Sequence, residues 1–129
     1  MLLVVDIGNT NIVVGLYQGE ALRHSWRLSS RRDMTADELG VLFRGLLGEN
    51  TGRIRDGVIA SVVPPLTAQV QSAVADIVGV EPLLVAPGVR TGVRLRMDNP
   101  QEVGADRILN AVAAFVRFGG PCIVVDFGT

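Results

Sequence analysis

The sequence has 129 residues, of which 48% are hydrophobic and 19% charged, and twelve basic against thirteen acidic residues give a net charge of −1. This composition is typical of one globular domain, and it leaves no broad basic surface for nucleic acid or an anionic membrane. All twelve basic residues are arginine, which excludes a P-loop lysine, and the lone Cys122 and His24 exclude an internal disulfide and a structural zinc site.

The chain begins without the basic region of a signal peptide, and no apolar run approaches the ~20 residues of a membrane span, so we expect a cytoplasmic protein.

The first third of the chain predicts three antiparallel strands. Residues 2–7 and 12–17 are apolar runs separated by a polar turn, and residues 22–28 alternate between apolar and polar. The Arg-rich residues 28–33 predict an ordinary exposed loop.

Helices then alternate with strands. Thr35 and Glu38 have the spacing of a capping box, and the following stripe of Leu39, Leu42, Phe43, Leu46 and Leu47 predicts a helix. A strand over 58–63, a helical stripe over 66–78 and a short strand over 83–85 come next.

A third helix is predicted to begin at Asn99, which would cap it with Pro100 at the first helical position. Its predicted buried stripe consists of Ile108, Val112, Phe115 and Val116. Residues 122–125 are apolar and predict another strand. The order β-β-β-α-β-α-β-α, followed by a last strand, indicates an α/β fold with a mixed sheet.

One internal repeat bears on the domain organisation. Residues 4–10 and 124–129 both read as a buried strand followed by Asp, an apolar residue, Gly and a nearby Thr. We therefore expect a first domain over residues 1–118 and, over 119–129, the opening strand of a second, similar domain. Two such turns could face each other across a cleft and hold one nucleotide. The chain alone would then lack half of the cleft, and we expect it to be inactive by itself.

The first candidate site is the turn after the first strand. A carboxylate among apolar residues needs compensation, and Asp6 could hold the water shell of Mg²⁺ or orient donors of the turn. Gly8 allows close approach of the backbone, and the turn amides with Asn9 and Thr10 could cradle phosphate oxygens. The alternative is a hairpin turn in which Asp and Asn bond their own backbone.

The second candidate site opens the third helix. At ~100° per residue, Asp106 lies on the side away from Ile108, where it could accept the proton of an attacking hydroxyl. Gly104 would leave space for a ligand, and Arg107 could pair with a carboxylate or phosphate. The alternative is a solvated helix end at which Asp106 only favours the helix dipole.

Together these motifs resemble type III pantothenate kinase, a family within the sugar kinase, Hsp70 and actin superfamily. The resemblance covers essentially the whole chain and is carried by residues 6–11, by Ser61-Val62-Val63-Pro64, by Asn99-Pro100 with Gly104-Ala105-Asp106-Arg107, and by Asp126-Phe127-Gly128-Thr129. It implies a ribonuclease H-like (actin-like ATPase) domain. It also implies ATP-dependent phosphorylation of pantothenate to 4'-phosphopantothenate, the first step of coenzyme A biosynthesis.

The resemblance also assigns roles by position. ATP would contact Asp6, Ile7, Gly8, Asn9, Thr10, Asn11, Ile12, Val13 and Thr129. Pantothenate would bind Gly104, Ala105, Asp106 and Arg107, with Asp106 as the catalytic proton acceptor. Asp126 would help bind a monovalent cation, K⁺ or NH₄⁺, beside the Mg²⁺ of the nucleotide, and a homodimer would close the pantothenate pocket.

One departure from the family pattern is Met97, which stands where many members have Tyr, so a phenol contact to substrate is absent. Two other functions stay open at this point. A regulatory or accessory relative could keep the nucleotide fold without turnover, although the presence of Asp6, Asp106 and Arg107 argues against it. A stand-alone structural domain would require the repeated C-terminal motif to be a coincidence.

Overall fold

A computed structural model describes residues 1–86 and 89–127, apart from the side chain of Gln101. Within them the strands are β1 (Leu2–Ile7), β2 (Asn11–Gln18), β3 (Ala21–Ser29), β4 (Asp56–Ser61) and β5 (Leu83–Val85). The helices are α1 (Ala36–Leu47), α2 (Pro64–Val78) and α3 (Ala105–Phe118), and single 3₁₀ segments cover Gly48–Arg53 and Pro100–Glu102. None of the helices in these ranges is long and apolar enough to cross a lipid bilayer.

The five strands form one mixed sheet in the order β3-β2-β1-β4-β5. β1 lies at its centre, antiparallel to β2 and parallel to β4, and β4 is parallel to β5. Ile7 therefore pairs with both Ile12 and Ser61, which places the β1–β2 turn and the end of β4 at the same edge of the sheet. Functional groups at that edge can converge on one ligand.

Helices cover the two faces of the sheet unequally. Alternate residues of β1 and β2 point to the face covered by α1 and α2, where they are fully buried: Leu3, Val5, Ile7, Ile12, Val14 and Leu16. Residues of the opposite parity point to the other face, on which α3 packs through Ala105 against Ala60 and Val85. The α/β fold class is confirmed, and so is the predicted capping box of α1.

The predicted start of α3 at Asn99 is wrong. Pro100–Glu102 forms a separate 3₁₀ turn, and Val103 and Gly104 then adopt extended backbone conformations with ψ of 121° and 144°. Extended residues interrupt the helical hydrogen-bond ladder, so the α-helix begins at Ala105 with Gly104 as its N-cap. Asp106 consequently lies in the first turn of α3.

Part of the predicted stripe on α3 is also wrong. Ile108 is buried, but Phe115 is 59% exposed and Val116 is 78% exposed. The helix packs on β4 through its N-terminal part, so its last turns have no described layer against which to bury an apolar stripe.

The strand predicted over residues 122–125 is not formed. Residues 122–127 take no place in the sheet, and Ile123 and Phe127 are more than nine-tenths exposed. A β-strand requires a hydrogen-bonding partner, and in the described residues none lies beside this segment.

Candidate active site

The turn between β1 and β2 is closed by one backbone hydrogen bond. The amide of Gly8 donates to the carbonyl oxygen of Asn11 at 2.9 Å. A Cβ atom at position 8 would lie 3.2 Å from that same oxygen, so a side chain would crowd the turn. Glycine at this position keeps the turn tight and leaves its outer surface open to a ligand.

Asp6 lies near the end of β1, on the face opposite the main core. Its neighbours Val5 and Ile7 are fully buried, whereas Asp6 itself remains accessible to solvent. The pKa of Asp6 is nevertheless raised, first by partial loss of hydration and then by the negative charges of Asp106 and Asp126. Carboxylates from β1, α3 and the segment after α3 are therefore electrostatic neighbours.

The start of α3 holds the Asp106 carboxylate in a local arrangement. Oδ1 of Asp106 accepts a hydrogen bond from the amide of Arg107 at 2.8 Å. Gly104 supports this conformer, because a Cβ atom at position 104 would collide with Oδ1 of Asp106. The carboxylate also lies in the first helical turn, where the helix dipole favours negative charge.

A cavity of about 370 Å³ joins the glycine turn to α3. It is lined by Gly8, Asn9, Val62, Glu102, Gly104, Asp106 and Arg107. The two motifs that are far apart in sequence therefore line one pocket, and Asp106 does not merely face bulk solvent. A volume of this order suits a small organic ligand.

A second cavity of about 570 Å³ adjoins the first and shares Val62, Glu102 and Gly104 with it. It extends between α2 and the ends of β4 and β5. Its polar groups include Ser61 and Thr67, whose hydroxyls hydrogen-bond at 2.8 Å. The site thus continues from the start of α3 toward α2 and the ends of β4 and β5.

Asp126 belongs to the same cluster. Its Oδ2 accepts a hydrogen bond from Nδ2 of Asn110 on α3 at 3.0 Å, and its charge contributes to the raised pKa of Asp6. Residues 1–86 and 89–127 nevertheless contain no group of three or more His, Cys, Asp or Glu side chains that could hold a metal ion without further ligands. Asp6 and Asp126 offer hard oxygen ligands of the kind that Mg²⁺ and alkali cations accept alongside water and phosphate.

The structure brings half of the predicted site residues together, seven of the fourteen. Asp6, Gly8, Asn9, Gly104, Asp106, Arg107 and Asp126 surround or adjoin the same pocket. The side chains of Ile7, Ile12 and Ala105 are instead buried in the hydrophobic clusters, and those of Asn11 and Val13 are half-buried. Thr10 is exposed at the turn, and Thr129 lies outside the described residues.

The sequence pattern did not identify two further features of the site. Val62 and Glu102 line the cavity, and the loop after β3 is hydrogen-bonded to the glycine turn through Ser30, which donates to the carbonyl oxygen of Thr10 at 2.9 Å. The strand order β3-β2-β1 could have predicted this proximity, because the end of β3 must lie beside the start of β2.

Comparisons with known proteins show which sequences and folds the chain is similar to. The family model described as type III pantothenate kinase matches residues 2–129. Curated relatives named type III pantothenate kinase are 49% identical in Moorella thermoacetica, 47% in Brevibacillus brevis and 48% in Geobacter sulfurreducens. Each alignment covers all of this chain and 52% of the relative, so the chain spans about half the length of the curated relatives it matches.

A solved structure described as an N-acetylglucosamine kinase from Porphyromonas gingivalis is similar in fold. It has a TM-score of 0.50 and 15% identity, and the match covers 70% of this chain and 37% of that one. The match supports the sugar-kinase type of fold, and at this identity it carries no information on substrate.

Proposed function

The chain belongs to the type III pantothenate kinase family, and we propose that in a protein of the relatives' full length it takes part in transferring the γ-phosphoryl group of ATP to pantothenate. The observation that carries the proposal is the pocket shared by Gly8, Asn9, Asp106 and Arg107. It brings a phosphate-binding type of turn next to a carboxylate that can act as a base.

The proposed reaction begins at the primary hydroxyl of pantothenate. Asp106 accepts the hydroxyl proton while the oxygen attacks the γ-phosphorus, and the bond to the β–γ bridging oxygen breaks, releasing ADP. Arg107 is placed to hold the carboxylate of pantothenate or a phosphate oxygen. In this reaction positioning and charge neutralisation contribute more than the strength of the base.

The carboxylates of Asp6 and Asp126 are suited to bind the cations that accompany the nucleotide. Asp6 would orient the hydrated Mg²⁺ that accompanies ATP, and Asp126 would contribute to the monovalent cation, K⁺ or NH₄⁺. The raised pKa of Asp6, caused by partial dehydration and by Asp106 and Asp126, supports this assignment, because a cation would relieve the repulsion. When bound, such cations neutralise the charge that develops on the phosphate oxygens.

A homodimer and a cytoplasmic location complete the proposal. On α3, Phe115, Val116 and Phe118 are exposed, which is the kind of apolar surface that another subunit or domain covers. Sedimentation of the full-length protein measures its oligomeric state.

The single free Cys122 is compatible with a reducing compartment in which ATP is available.

The decisive experiment incubates the full-length protein with Mg-ATP, K⁺ and pantothenate, and measures ADP and 4'-phosphopantothenate by mass spectrometry. Reactions without pantothenate, or with N-acetylglucosamine in its place, control for ATPase activity and for a different alcohol acceptor. Calorimetric binding of ATP with no binding of pantothenate and no transfer would instead support a regulatory or accessory relative.

A further inference from the structure

The loop after β3 is hydrogen-bonded to the glycine turn, where the nucleotide phosphates are proposed to bind. Besides the amide of Ser30, which bonds to Thr10, the hydroxyl of Ser30 donates to the carbonyl oxygen of Gly8 at 2.6 Å. These two hydrogen bonds attach the loop to the backbone of the glycine turn on both sides of Asn9. The residues directly after Ser30 are therefore held next to the pocket.

The two arginines that follow Ser30 point to different partners. Arg31 forms salt bridges with Asp33 at 3.6 Å and with Glu38 at 3.9 Å, and so turns toward the start of α1. Arg32 instead places Nη2 3.5 Å from Oδ1 of Asn9, which lines the pocket. Within residues 1–86 and 89–127, Arg32 takes part in no salt bridge.

The pocket has more acidic than basic side chains, so a second basic side chain near the glycine turn would improve its charge balance. Asp6, Asp106 and Asp126 are electrostatic neighbours, and Glu102 also lines the pocket. Among the described residues that line it, Arg107 is the one basic side chain, and the sequence contains no lysine. The phosphates of ATP would add further negative charge, and besides the proposed cations Arg107 on α3 is the one basic side chain of this lining that could offset it.

We propose that Arg32 donates hydrogen bonds to phosphate oxygens of the nucleotide held by the glycine turn, with Asn9 orienting its guanidinium group. The inference rests on the proposed ATP site. An arginine supplies a fixed fork of N–H donors that matches phosphate oxygens and stays charged at any physiological pH. Arg32 is exposed, and one of its nitrogens lies against the Asn9 side chain. Because a guanidinium group has five N–H donors, one can bond to Asn9 while others bond to a phosphate.

The test compares Arg32→Ala with Arg31→Ala in the full-length protein. These neighbours carry the same charge, but only Arg32 contacts the turn. For Arg32→Ala we expect the KM and Kd for ATP to rise about 10- to 100-fold, the size expected for a charged hydrogen bond. The KM for pantothenate and the Kd for adenosine should stay within about twofold, and Arg31→Ala should retain the wild-type KM for ATP.

Adenosine separates a phosphate contact from a structural role, because it lacks phosphates but occupies the same nucleotide site. An equal loss of adenosine and ATP affinity in Arg32→Ala would overturn the inference. Arg32→Lys, which keeps the charge without the fork, should recover part of the ATP affinity. Arg32→Gln provides a second variant if the alanine variant does not fold, as judged by its melting temperature.

The failures of the two proposals are distinguishable. A wild-type protein that neither binds ATP nor phosphorylates pantothenate refutes the proposed function itself. A wild-type protein that is active, with the same KM for ATP in Arg32→Ala and Arg31→Ala, refutes only the role of Arg32.

Discussion

Asp6 at the end of β1 and Asp106 at the start of α3 are electrostatic neighbours, although 100 positions separate them in the sequence. Partial loss of hydration has the largest effect on the pKa of Asp6, and the charge of Asp106 is the next contribution that raises it. The central strand and the third helix therefore bring two carboxylates to one edge of the sheet, where each can be tested separately.

Replacing Asp106 removes the proposed proton acceptor. We expect Asp106→Asn to lower kcat by about 10²- to 10⁴-fold, with a smaller effect on the KM for ATP, because Asn cannot take the hydroxyl proton. Steady-state kinetics of the full-length protein measures both constants. Asp76→Asn, on the exposed side of α2, is the matched control. A near-wild-type kcat for Asp106→Asn would show that this carboxylate is not the base.

Gly104 is predicted to set the conformation of the Asp106 carboxylate, the proposed base. In Gly104→Ala the new Cβ collides with Oδ1 of Asp106, so the carboxylate must rotate, while Val62 Cγ1 at 3.4 Å is only in ordinary contact. We expect kcat to fall about 10- to 100-fold through misplacement of the base. The melting temperature should change little, because the displaced group is the end of a side chain. Unchanged kcat would mean that the carboxylate tolerates the rotation.

The pH dependence of stability should report on Asp6. Because the folded state raises the pKa of Asp6, chiefly by partial dehydration and then through Asp106 and Asp126, it binds the proton more tightly than the unfolded chain. Ionised Asp6 therefore destabilises the fold as the pH rises above its ordinary pKa of 3.8 and on through the raised pKa.

Asp6→Asn should accordingly raise the melting temperature at neutral pH, and the gain should disappear when the pH falls below about 3.8. Melting curves of the full-length protein across this range measure the difference. Asp56→Asn, at the opposite end of the sheet, is the matched control for the loss of one carboxylate. A gain that is the same at every pH would argue against the titration of Asp6.

Two glycines give opposite predictions for stability. A Cβ at Gly57 in β4 would lie 2.8 Å from Cγ1 of Val74 and 3.1 Å from Cβ of Pro82, so Gly57→Ala overpacks the contact between β4 and α2. We expect it to lower the free energy of unfolding by about 1–3 kcal/mol.

Gly45, within α1, has nothing within 4 Å of its added Cβ. Gly45→Ala should raise the free energy of unfolding by up to about 1 kcal/mol through helix propensity. Urea unfolding measures both variants, and destabilisation by Gly45→Ala would contradict the described environment.

The cap of α1 should be a separate source of stability. The Thr35 hydroxyl accepts from the amide of Glu38 at 3.2 Å, and the Glu38 carboxylate accepts from the amide of Thr35 at 2.8 Å. Thr35→Ala should lower the free energy of unfolding by about 1 kcal/mol. The pKa of Glu38 is lowered, first by the Thr35 amide, so its contribution is present above pH 4.5 and is lost as the pH falls through the lowered pKa.

The sequence predicted those features that depend on local periodicity. All five strands and three helices of the described structure follow from apolar patterns, and the Thr35–Glu38 capping box is formed as its spacing predicts. The sequence indicates Asp6 and Asp106 separately, one in a run of apolar residues and the other on the helix side away from Ile108, and only the family resemblance assigns both to one site. Their convergence required the strand order, which local patterns do not encode.

The sequence predictions are wrong where burial or strand formation depends on a neighbouring element of the fold. Phe115 and Val116 have helical spacing with Ile108, but the layer that would cover them is absent from the described residues, so they are exposed. The apolar residues 122–125 have strand propensity without a strand to pair with. The sequence pattern places Arg32 in an ordinary exposed loop, because only the tertiary pairing of β3 with β2 brings it beside Asn9.

The central position of β1 has a consequence for the order in which the site loses its structure. Within residues 1–86 and 89–127, β1 is hydrogen-bonded on both edges, whereas β3 is bonded on one edge only. Amide hydrogens of β1 should thus exchange with deuterium more slowly than those of β3. Asp6 lies in the slowly exchanging strand β1, whereas Arg32 follows β3, which opens earlier. Partial unfolding should therefore move Arg32 away from the glycine turn while Asp6 is still held in the sheet.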